Sequence, residues 1–197
     1  MDAVFASGTP AFGSCAGLQV ATVAAGGRVR DNPNGHETPF ARRITPTDVG
    51  RTHQLLCGRP AAYDALTIHS DEVEALPDEA TLLATNAVTR VQAAEIRHRG
   101  GVFWGVQYHP ELPLTEIAES LRAEAASVVE QGLAEDERAV ESYADMLRQL
   151  GLDPARRDLQ WQLGVDLQVA DPEHRTTEIR NFLAKLVKPT RSARVRA

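Results

Sequence analysis

The chain has 197 residues, 43% of them hydrophobic, with a formal net charge of −6, which suits one ordinary domain or a smaller domain with an appendage. The acidic balance excludes a general nucleic-acid binder, because phosphate contacts need a basic surface. No apolar run approaches the ~20 residues of a membrane span, and no signal peptide is evident. With only two cysteines, Cys15 and Cys57, no disulfide framework is expected, and we predict a cytoplasmic protein that binds no membrane.

A short strand, a tight turn and the start of a helix are predicted near the N-terminus, after the tail of a helix over residues 1–7. Residues 10–12 favour a strand, and the apolar run 18–25 favours a helix that a glycine pair would end. Cys15 lies in the turn between them. This order is typical of a nucleophile elbow, in which a sharp turn after a strand presents a reactive side chain.

Glycines flank this cysteine at equal spacing. A strained turn favours glycine, so we expect that a Cβ at either Gly13 or Gly17 would crowd the backbone. Cys15 is therefore a candidate nucleophile. The alternative interpretation is a buried, inert thiol that packs as a small hydrophobic side chain.

The next part of the chain is polar and rich in turn residues, with one strand predicted over residues 41–45. It leads to a loop over residues 66–77, in which His69, Ser70 and Asp71 offer hydrogen-bonding groups. These side chains are candidates for contact with a substrate. The alternative is an exposed polar loop with a helix cap.

Three further strands are predicted over residues 82–85, 91–97 and 102–108. The pair Gly100 and Gly101 predicts a hairpin turn between the second and the third. The last of these strands leads directly to a histidine, a proline and a glutamate. It therefore delivers two chemically useful side chains at its end.

His109 and Glu111 are these two side chains. Residues two apart in extended chain point to the same side, and the intervening proline ends strand pairing, so the imidazole and the carboxylate can be offered together. A cysteine nucleophile needs a general base and a group that orients that base. Cys15, His109 and Glu111 would supply a complete triad.

The C-terminal part of the chain changes to a helical pattern. Apolar stripes over residues 117–128 and 140–150 each predict one helix, and Gly151 follows the second in a C-cap position. Asp153 and Asp171 are each followed by proline. An N-cap residue before a proline predicts the start of a further helix at each place.

Together these motifs resemble the class I, or triad-type, glutamine amidotransferases, whose signatures are G-x-C-x-G-x-Q around the nucleophile and H-P-E after a late strand. Residues 13–19 match the first signature and residues 109–111 the second. Residues 68–77 are similar to the loop that lies against bound glutamine in GMP-synthase-like members. The resemblance covers residues 2–114 and implies a flavodoxin-like α/β fold.

The resemblance also implies a role for each candidate residue. Cys15 would be the nucleophile, His109 the general base and acid, and Glu111 the group that orients the imidazole. The substrate glutamine would be bound by Ala16, Gly17, Gln19, His69, Ser70 and Asp71. No metal and no cofactor is implied.

The N-terminus departs from the family pattern, because only fourteen residues precede Cys15. Complete domains of the family have several strand and helix units there, including a loop that donates one oxyanion-hole N–H. We therefore expect an N-terminally incomplete amidotransferase domain over residues 1–114 and a helical C-terminal extension over residues 115–197. Removing one such donor costs about 10²–10³ in rate, so weak or no activity is expected without an N-terminal completing segment or another chain.

The expected reaction is hydrolysis of the side-chain amide of glutamine, with release of ammonia for transfer. Two alternatives stay open: a γ-glutamyl hydrolase or peptidase on the same scaffold, and a catalytically dead regulatory or binding module. GMP synthesis would need a partner, namely a separate synthetase subunit. The sequence leaves the ammonia acceptor open, and also whether the protein forms a homo-oligomer.

Overall fold

The computed structural model describes residues 1–195, so the last two residues of the predicted helical extension lie outside the described part of the chain. The described chain forms two compact units. The first combines Met1–Pro110 with the segment that begins at Thr176, and the second is Glu111–Arg175. No helix among residues 1–195 is both long and apolar enough to cross a membrane.

The strands of the described residues belong to the first unit. They are β1 (Ala11–Ser14), β2 (Arg28–Asp31), β3 (Phe40–Pro46), β4 (Tyr63–Leu66), β5 (Asp71–Ala75), β6 (Ala80–Thr85), β7 (Ala93–His98) and β8 (Gly101–Val106). The strands predicted over residues 10–12, 41–45, 82–85, 91–97 and 102–108 are confirmed as β1, β3, β6, β7 and β8, with ends that differ by at most two residues.

Helices occur in both units. They are α1 (Asp2–Ala6), α2 (Ala16–Ala24), α3 (Asp48–Thr52), α4 (Leu114–Ala123), α5 (Ala125–Glu130), α6 (Glu137–Leu152), α7 (Arg157–Leu163), α8 (Leu167–Ala170), α9 (Pro172–Arg175), α10 (Thr177–Asn181) and α11 (Lys188–Val195). A 3₁₀ turn covers Gln54–Leu56, and a π-helical segment covers Phe182–Val187. The helices predicted over residues 1–7 and 18–25 are confirmed as α1 and α2.

The sheet brings the two predicted motifs to one place. Within the described residues its strand order is β1-β8-β7-β6-β3-β4, and a separate pair joins β2 to β5. β1 pairs in parallel with β8, from Ala11 opposite Phe103 to Ser14 opposite Val106, whereas the other pairs are antiparallel. Parallel strands end at the same edge of a sheet. The residues that follow Ser14 therefore lie beside those that follow Val106.

The sheet also curls, so that its far strand approaches the end of β8. The His109 N–H donates to the carbonyl oxygen of Leu66, the last residue of β4, at 2.7 Å. β4 and β1 are at opposite ends of the strand order, yet both reach the residues after β8. Three separate segments of the chain thus meet at this edge.

The hairpin between β7 and β8 is confirmed, but its turn lies one residue earlier than predicted. Arg99 and Gly100 form the turn at φ 48° and 83°, and Gly101 already pairs with His98. Positive φ at both central residues is the geometry that two-residue hairpins favour. Gly101 is needed for another reason, because a Cβ there would lie 2.6 Å from the carbonyl oxygen of Phe5 in α1.

Three helix predictions for the second unit are wrong. The stripe over residues 117–128 forms two helices rather than one, with a break at Glu124. Gly151 lies inside α6 instead of capping it, and a Cβ there would come within 3.1 Å of Leu114 Cβ, so the glycine allows α4 and α6 to pack closely. Asp153 accepts a hydrogen bond from Ala155 N–H at 3.1 Å in a turn, and no helix starts there.

The prediction at Asp171 is confirmed. Its Oδ1 accepts a hydrogen bond from the Glu173 N–H at 2.8 Å, and α9 begins at Pro172. Proline at the first helical position loses nothing, because its missing N–H would have no intrahelical acceptor. Local capping chemistry therefore decided this helix start.

Candidate active site

The predicted strand–turn–helix around Cys15 is confirmed. Cys15 stands between β1 and α2 with φ 46° and ψ −110°. Residues other than glycine rarely adopt positive φ, and such conformations cost about 1–3 kcal/mol unless the surroundings enforce them. Its N–H donates to the Val106 carbonyl oxygen at 2.8 Å, which continues the pairing of β1 with β8 into the turn.

The two flanking glycines are needed for different reasons. A Cβ on Gly13 would lie 2.9 Å from Phe103 Cζ and 3.0 Å from Gly17 Cα, so the predicted crowding is confirmed there. A Cβ on Gly17 would meet no atom within 4 Å, and the prediction of crowding is wrong for this residue. The reason is that Gly17 already belongs to α2 and faces open space beside the elbow.

The helix after the elbow is held close to the sheet. Leu18 is fully buried, and a Cβ on Gly105 of β8 would lie 2.8 Å from Leu18 Cδ1. α2 therefore packs directly on the strand that leads to His109. This packing fixes the direction in which the turn at Cys15 points.

The sulfur of Cys15 has two polar neighbours. Gln107 Nε2 donates to Sγ at 3.6 Å, and Sγ lies 3.9 Å from the carbonyl oxygen of Ile68. The thiol is half-buried and is not in a disulfide. Gln107 is not among the predicted site residues. The signal that could have found it is its position directly after β8, which the parallel register places opposite Cys15.

His109 lies half-buried just beyond β8, at the same end of the sheet as Cys15. Its backbone is held by Leu66, as described above. Glu111 is exposed and is the first residue of the second compact unit. The structure thus brings the elbow and the histidine to one sheet edge, whereas the role of Glu111 stays a prediction from the sequence.

The loop predicted over residues 66–77 is only partly a loop, because β5 covers Asp71–Ala75 and pairs with β2. The three residues predicted there to bind substrate have different environments. The ring of His69 is buried, with Nδ1 2.8 Å from the Asp71 carbonyl oxygen and Nε2 3.1 Å from Glu37 Oε2. Ser70 is exposed. Gln19 Nε2 donates to the Asp71 carbonyl oxygen at 3.3 Å, so α2 is tied to the first residue of β5. The ring of His69 therefore contacts protein groups that hold the loop in place.

A buried carboxylate that the sequence did not single out supports the loop from behind. Glu37 accepts hydrogen bonds from Asn86 Nδ2 at 2.5 Å, Thr89 Oγ1 at 2.9 Å and Gln92 Nε2 at 2.9 Å, in addition to its contact with His69. Burying a carboxylate is costly unless its oxygens are hydrogen-bonded, and here both are. The donors lie 49 to 55 positions away along the chain, so no local pattern indicates this cluster.

A second cluster of buried charge contacts Tyr108, the residue before His109. Arg59 and Glu178 form an ion pair at 2.7 Å, and Tyr108 donates to the same carboxylate at 2.8 Å. Burial raises the pKa of the Tyr108 hydroxyl well above its ordinary value, and the neighbouring Glu178 carboxylate adds to this shift. Tyr108 therefore stays protonated and acts as a donor at neutral pH.

Comparison with known proteins identifies the family of the chain. Residues 1–126 match the sequence profile of the family described as glutamine amidotransferase class-I. The chain belongs to this family, as its motifs predicted. Within residues 1–195, no group of three or more His, Cys, Asp or Glu side chains is placed to hold a metal ion.

Two relatives of the chain are named for different activities. A γ-glutamyl-L-1-hydroxyisopropylamide hydrolase from a Pseudomonas species is 42% identical over 191 residues, which cover 94% of this chain and 64% of the relative. One subunit of a glutamine-hydrolysing GMP synthase from Methanocaldococcus jannaschii is 30% identical over 112 residues, which cover 57% of this chain and 56% of the relative. The chain thus spans less than two thirds of the length of these curated relatives.

Solved structures agree on the fold. A glutamine amidotransferase from Thermotoga maritima superposes with a TM-score of 0.56 at 17% identity, over 87% of this chain and 61% of the other. A glutamine amidotransferase from Methylobacillus flagellatus gives a TM-score of 0.56 at 19% identity, also over 87% and 61%. With the family match, this likeness confirms the expected α/β amidotransferase fold class.

Proposed function

We propose that this chain hydrolyses the terminal amide of a γ-glutamyl group, with glutamine as a substrate. Cys15 is the nucleophile, His109 the general base and acid, and Glu111 the group that orients the imidazole. The observation that carries the proposal is the backbone of Cys15, held at φ 46° at the sheet edge to which β8 also delivers His109. A rarely populated conformation at a thiol, enforced by packing, is typical of a functional site.

The reaction has two halves. Cys15 Sγ attacks the amide carbon, its proton passes to His109, and His109 protonates the departing nitrogen as the C–N bond breaks. Ammonia leaves and a glutamyl thioester remains on Cys15. His109 then takes a proton from water, whose oxygen attacks the thioester, and the proton returns to the cysteine sulfur as glutamate is released.

The substrate contacts follow from the elbow and its loop. Ala16 is the first residue of α2, so its N–H is one of the helix-start donors that lack an intrahelical acceptor, and we assign it to the oxyanion. The open space beside Gly17 is where the glutamyl group would enter. We assign Gln19, Ser70 and Asp71 to the same pocket, because Gln19 Nε2 donates to the Asp71 carbonyl oxygen. His69 would keep this segment in position through its contact with Glu37.

Affinity labelling tests this assignment without requiring turnover. The glutamine analogue 6-diazo-5-oxo-L-norleucine should label Cys15 once per chain, as read by mass spectrometry of the digested protein. Cys57 is an internal control because it is also a free thiol and is more exposed. A Cys57→Ala variant should label as the wild type does, and glutamine should protect Cys15.

A binding module with a dead site is the rival that this experiment addresses. In such a module, the glutamine analogue would not alkylate Cys15 faster than Cys57. Equal labelling of both thiols, or labelling that glutamine does not slow, would therefore refute the nucleophile assignment. Iodoacetamide, which needs no binding pocket, should label Cys57 in either case.

A γ-glutamyl amide with a substituted nitrogen is a second candidate substrate. The 42% identity to a γ-glutamyl-L-1-hydroxyisopropylamide hydrolase extends over 94% of this chain, whereas the match to the GMP synthase relative covers 57%. A panel of glutamine, γ-glutamyl-isopropylamide and γ-glutamyl-ethylamide, assayed for the released glutamate, separates the two. Preference for the branched amide by tenfold or more in kcat/KM would favour the second candidate.

The partners are also proposals. The Methanocaldococcus jannaschii relative is named as one subunit of a GMP synthase, which supports a separate synthetase subunit that would receive the ammonia. β1 is an end strand of the described sheet, and an end strand offers backbone groups to a further strand, so it is the place where a completing segment would pair.

Both cysteines are free thiols, which suits the cytoplasm as the proposed location.

A further inference from the structure

A buried chain of polar side chains links the C-terminal helices to the residue before His109. Arg59 Nε and Nη2 donate to the two carboxylate oxygens of Glu178, each at 2.7 Å. Tyr108 donates to Glu178 Oε1 at 2.8 Å, and the hydroxyl of Tyr63 lies 2.8 Å from that of Tyr108. Since the proton of Tyr108 points to Glu178, the Tyr63 hydroxyl is the donor in the last contact.

The cluster is removed from solvent and fully paired. The side chains of Arg59 and Glu178 are 1% and 0% exposed, and the Arg59 guanidinium also lies 4.5 Å from the centre of the Tyr63 ring. A buried ion pair adds little net stability because both charges lose their hydration, but breaking it leaves a buried charge without compensation. Such a cluster therefore resists rearrangement and holds its members in one geometry.

The same strand holds Tyr108 and His109 in two ways. Tyr63 and Leu66 both belong to β4, and they contact Tyr108 through its hydroxyl and His109 through its N–H. Consecutive residues are thus fastened to one strand, one by its side chain and one by its backbone. Glu178 in α10 adds a third attachment from the C-terminal end of the chain.

We propose that Glu178 is a positioning residue that acts through the Tyr108 hydroxyl to hold His109 where it can serve Cys15. The C-terminal helical segment then contributes to the placement of the base. This inference rests on the function proposed above, in which His109 is the general base and acid. It adds Glu178 and Tyr108 to the residues on which that function depends.

The Tyr108→Phe variant tests the inference, because it removes one hydroxyl and leaves the ring. Two readouts are used on the full chain: the ¹⁵N imidazole resonances of His109, assigned with a His109→Gln variant, and the labelling rate of Cys15 by 6-diazo-5-oxo-L-norleucine. We expect the His109 resonances to shift and the labelling rate to fall about 10- to 100-fold, since small misplacement of a catalytic group costs that much.

Asn181→Ala is the matched control. Asn181 Nδ2 ties the same helical segment to the Leu55 and Cys57 carbonyl oxygens, at 2.9 and 2.8 Å, without contacting Tyr108. This variant should lower the melting temperature but leave the His109 resonances and the labelling rate unchanged. Equal effects of both variants on His109 would overturn the inference in favour of a general structural role.

The remaining outcomes are also decisive. Unchanged His109 resonances in Tyr108→Phe would overturn the inference. If Tyr108→Phe does not fold, Tyr63→Phe, which removes the donor to Tyr108, is read in the same way and should give a smaller shift. A wild-type chain in which Cys15 does not label would contradict the proposed function, whereas the His109 resonances would still decide whether Tyr108 positions the ring.

Discussion

The two cysteines of this chain carry the same thiol in opposite settings. Cys15 stands at φ 46° between β1 and α2, with Gln107 Nε2 3.6 Å from its sulfur. Cys57 follows a 3₁₀ turn at φ −57°, is exposed, and offers its backbone carbonyl to Asn181. Under the proposed function, the thiol that attacks the substrate is selected by the backbone and packing that present it, and not by its exposure.

Replacing each cysteine by glycine is expected to give the largest difference between the two positions. Cys15→Gly should abolish labelling by the glutamine analogue, yet its free energy of unfolding should be unchanged or higher, because relief of about 1–3 kcal/mol of backbone strain offsets the entropic cost of glycine. Cys57→Gly should keep full labelling and lose roughly 0.5–1 kcal/mol, since its φ is relaxed. Urea denaturation measures both. Equal stability losses at the two positions would contradict the strain at Cys15.

Gly13→Ala changes the packing of the elbow and leaves the Cys15 side chain unaltered. The added Cβ would lie 2.9 Å from Phe103 Cζ and 3.0 Å from Gly17 Cα, so neighbouring groups must shift. We expect the free energy of unfolding to fall by about 1–3 kcal/mol, as for other overpacked sites, and the analogue to label Cys15 much more slowly. Labelling of Cys57 by iodoacetamide is the control, and it should not change. Wild-type stability in this variant would show that the elbow can relax.

Glu95→Gln changes the surroundings of Cys57, because Glu95 contacts His53 beside the turn that precedes this cysteine. Glu95 accepts hydrogen bonds from Trp104 Nε1 at 2.7 Å, Arg97 Nε at 2.7 Å and His53 Nε2 at 3.2 Å. His53 Nδ1 in turn accepts from the Leu55 N–H of that turn at 3.1 Å. Burial opposes ionisation of this carboxyl, but the bonds from His53 and Trp104, with the charge of Arg97, lower its pKa from 4.5 to about 2.

The sign of the pH dependence follows from this lowered pKa. A carboxyl whose pKa is lower in the folded state stabilises fully above pH 4.5, and the contribution disappears as the pH falls through about 2. Glu95→Gln should therefore cost about 1–3 kcal/mol at pH 7, and the gap from wild type should shrink between pH 4.5 and 2. Urea denaturation over this range is the measurement. A gap that does not depend on pH would show that charge on Glu95 contributes nothing.

Gly17→Ala should have the smallest effect on the fold. No atom lies within 4 Å of the added Cβ, and alanine is favoured over glycine in a helix by roughly 0.5–1 kcal/mol, so stability should rise slightly. Labelling of Cys15 should nevertheless slow by about tenfold, because the methyl group enters the space assigned to the glutamyl group. Faster or unchanged labelling would move the substrate pocket away from Gly17.

Glycine illustrates how far sequence patterns reach. The spacing of Gly13 and Gly17 around Cys15 predicted the elbow, since a sharp turn has few solutions in local geometry. It did not predict that only Gly13 is crowded, because the nearest crowding atom belongs to Phe103 on the neighbouring strand. The prediction for Gly151 was wrong for the same reason. Its position suggested a helix end, whereas its packing partner is Leu114 on another helix.

The amino-acid sequence was enough to predict the elements whose causes lie within a few residues: the elbow at Cys15, the strand that leads to His109, three of the six remaining strands in the described residues, and the family. The tertiary structure determines which carboxylates are buried and which donors they bind. Glu37 and Glu178 find donors 32 to 119 positions away, through a curled sheet and a returning C-terminal helix. The physical reason is that turns and caps depend on local dihedral angles, whereas a buried charge is stabilised by whichever donors the completed packing brings to it.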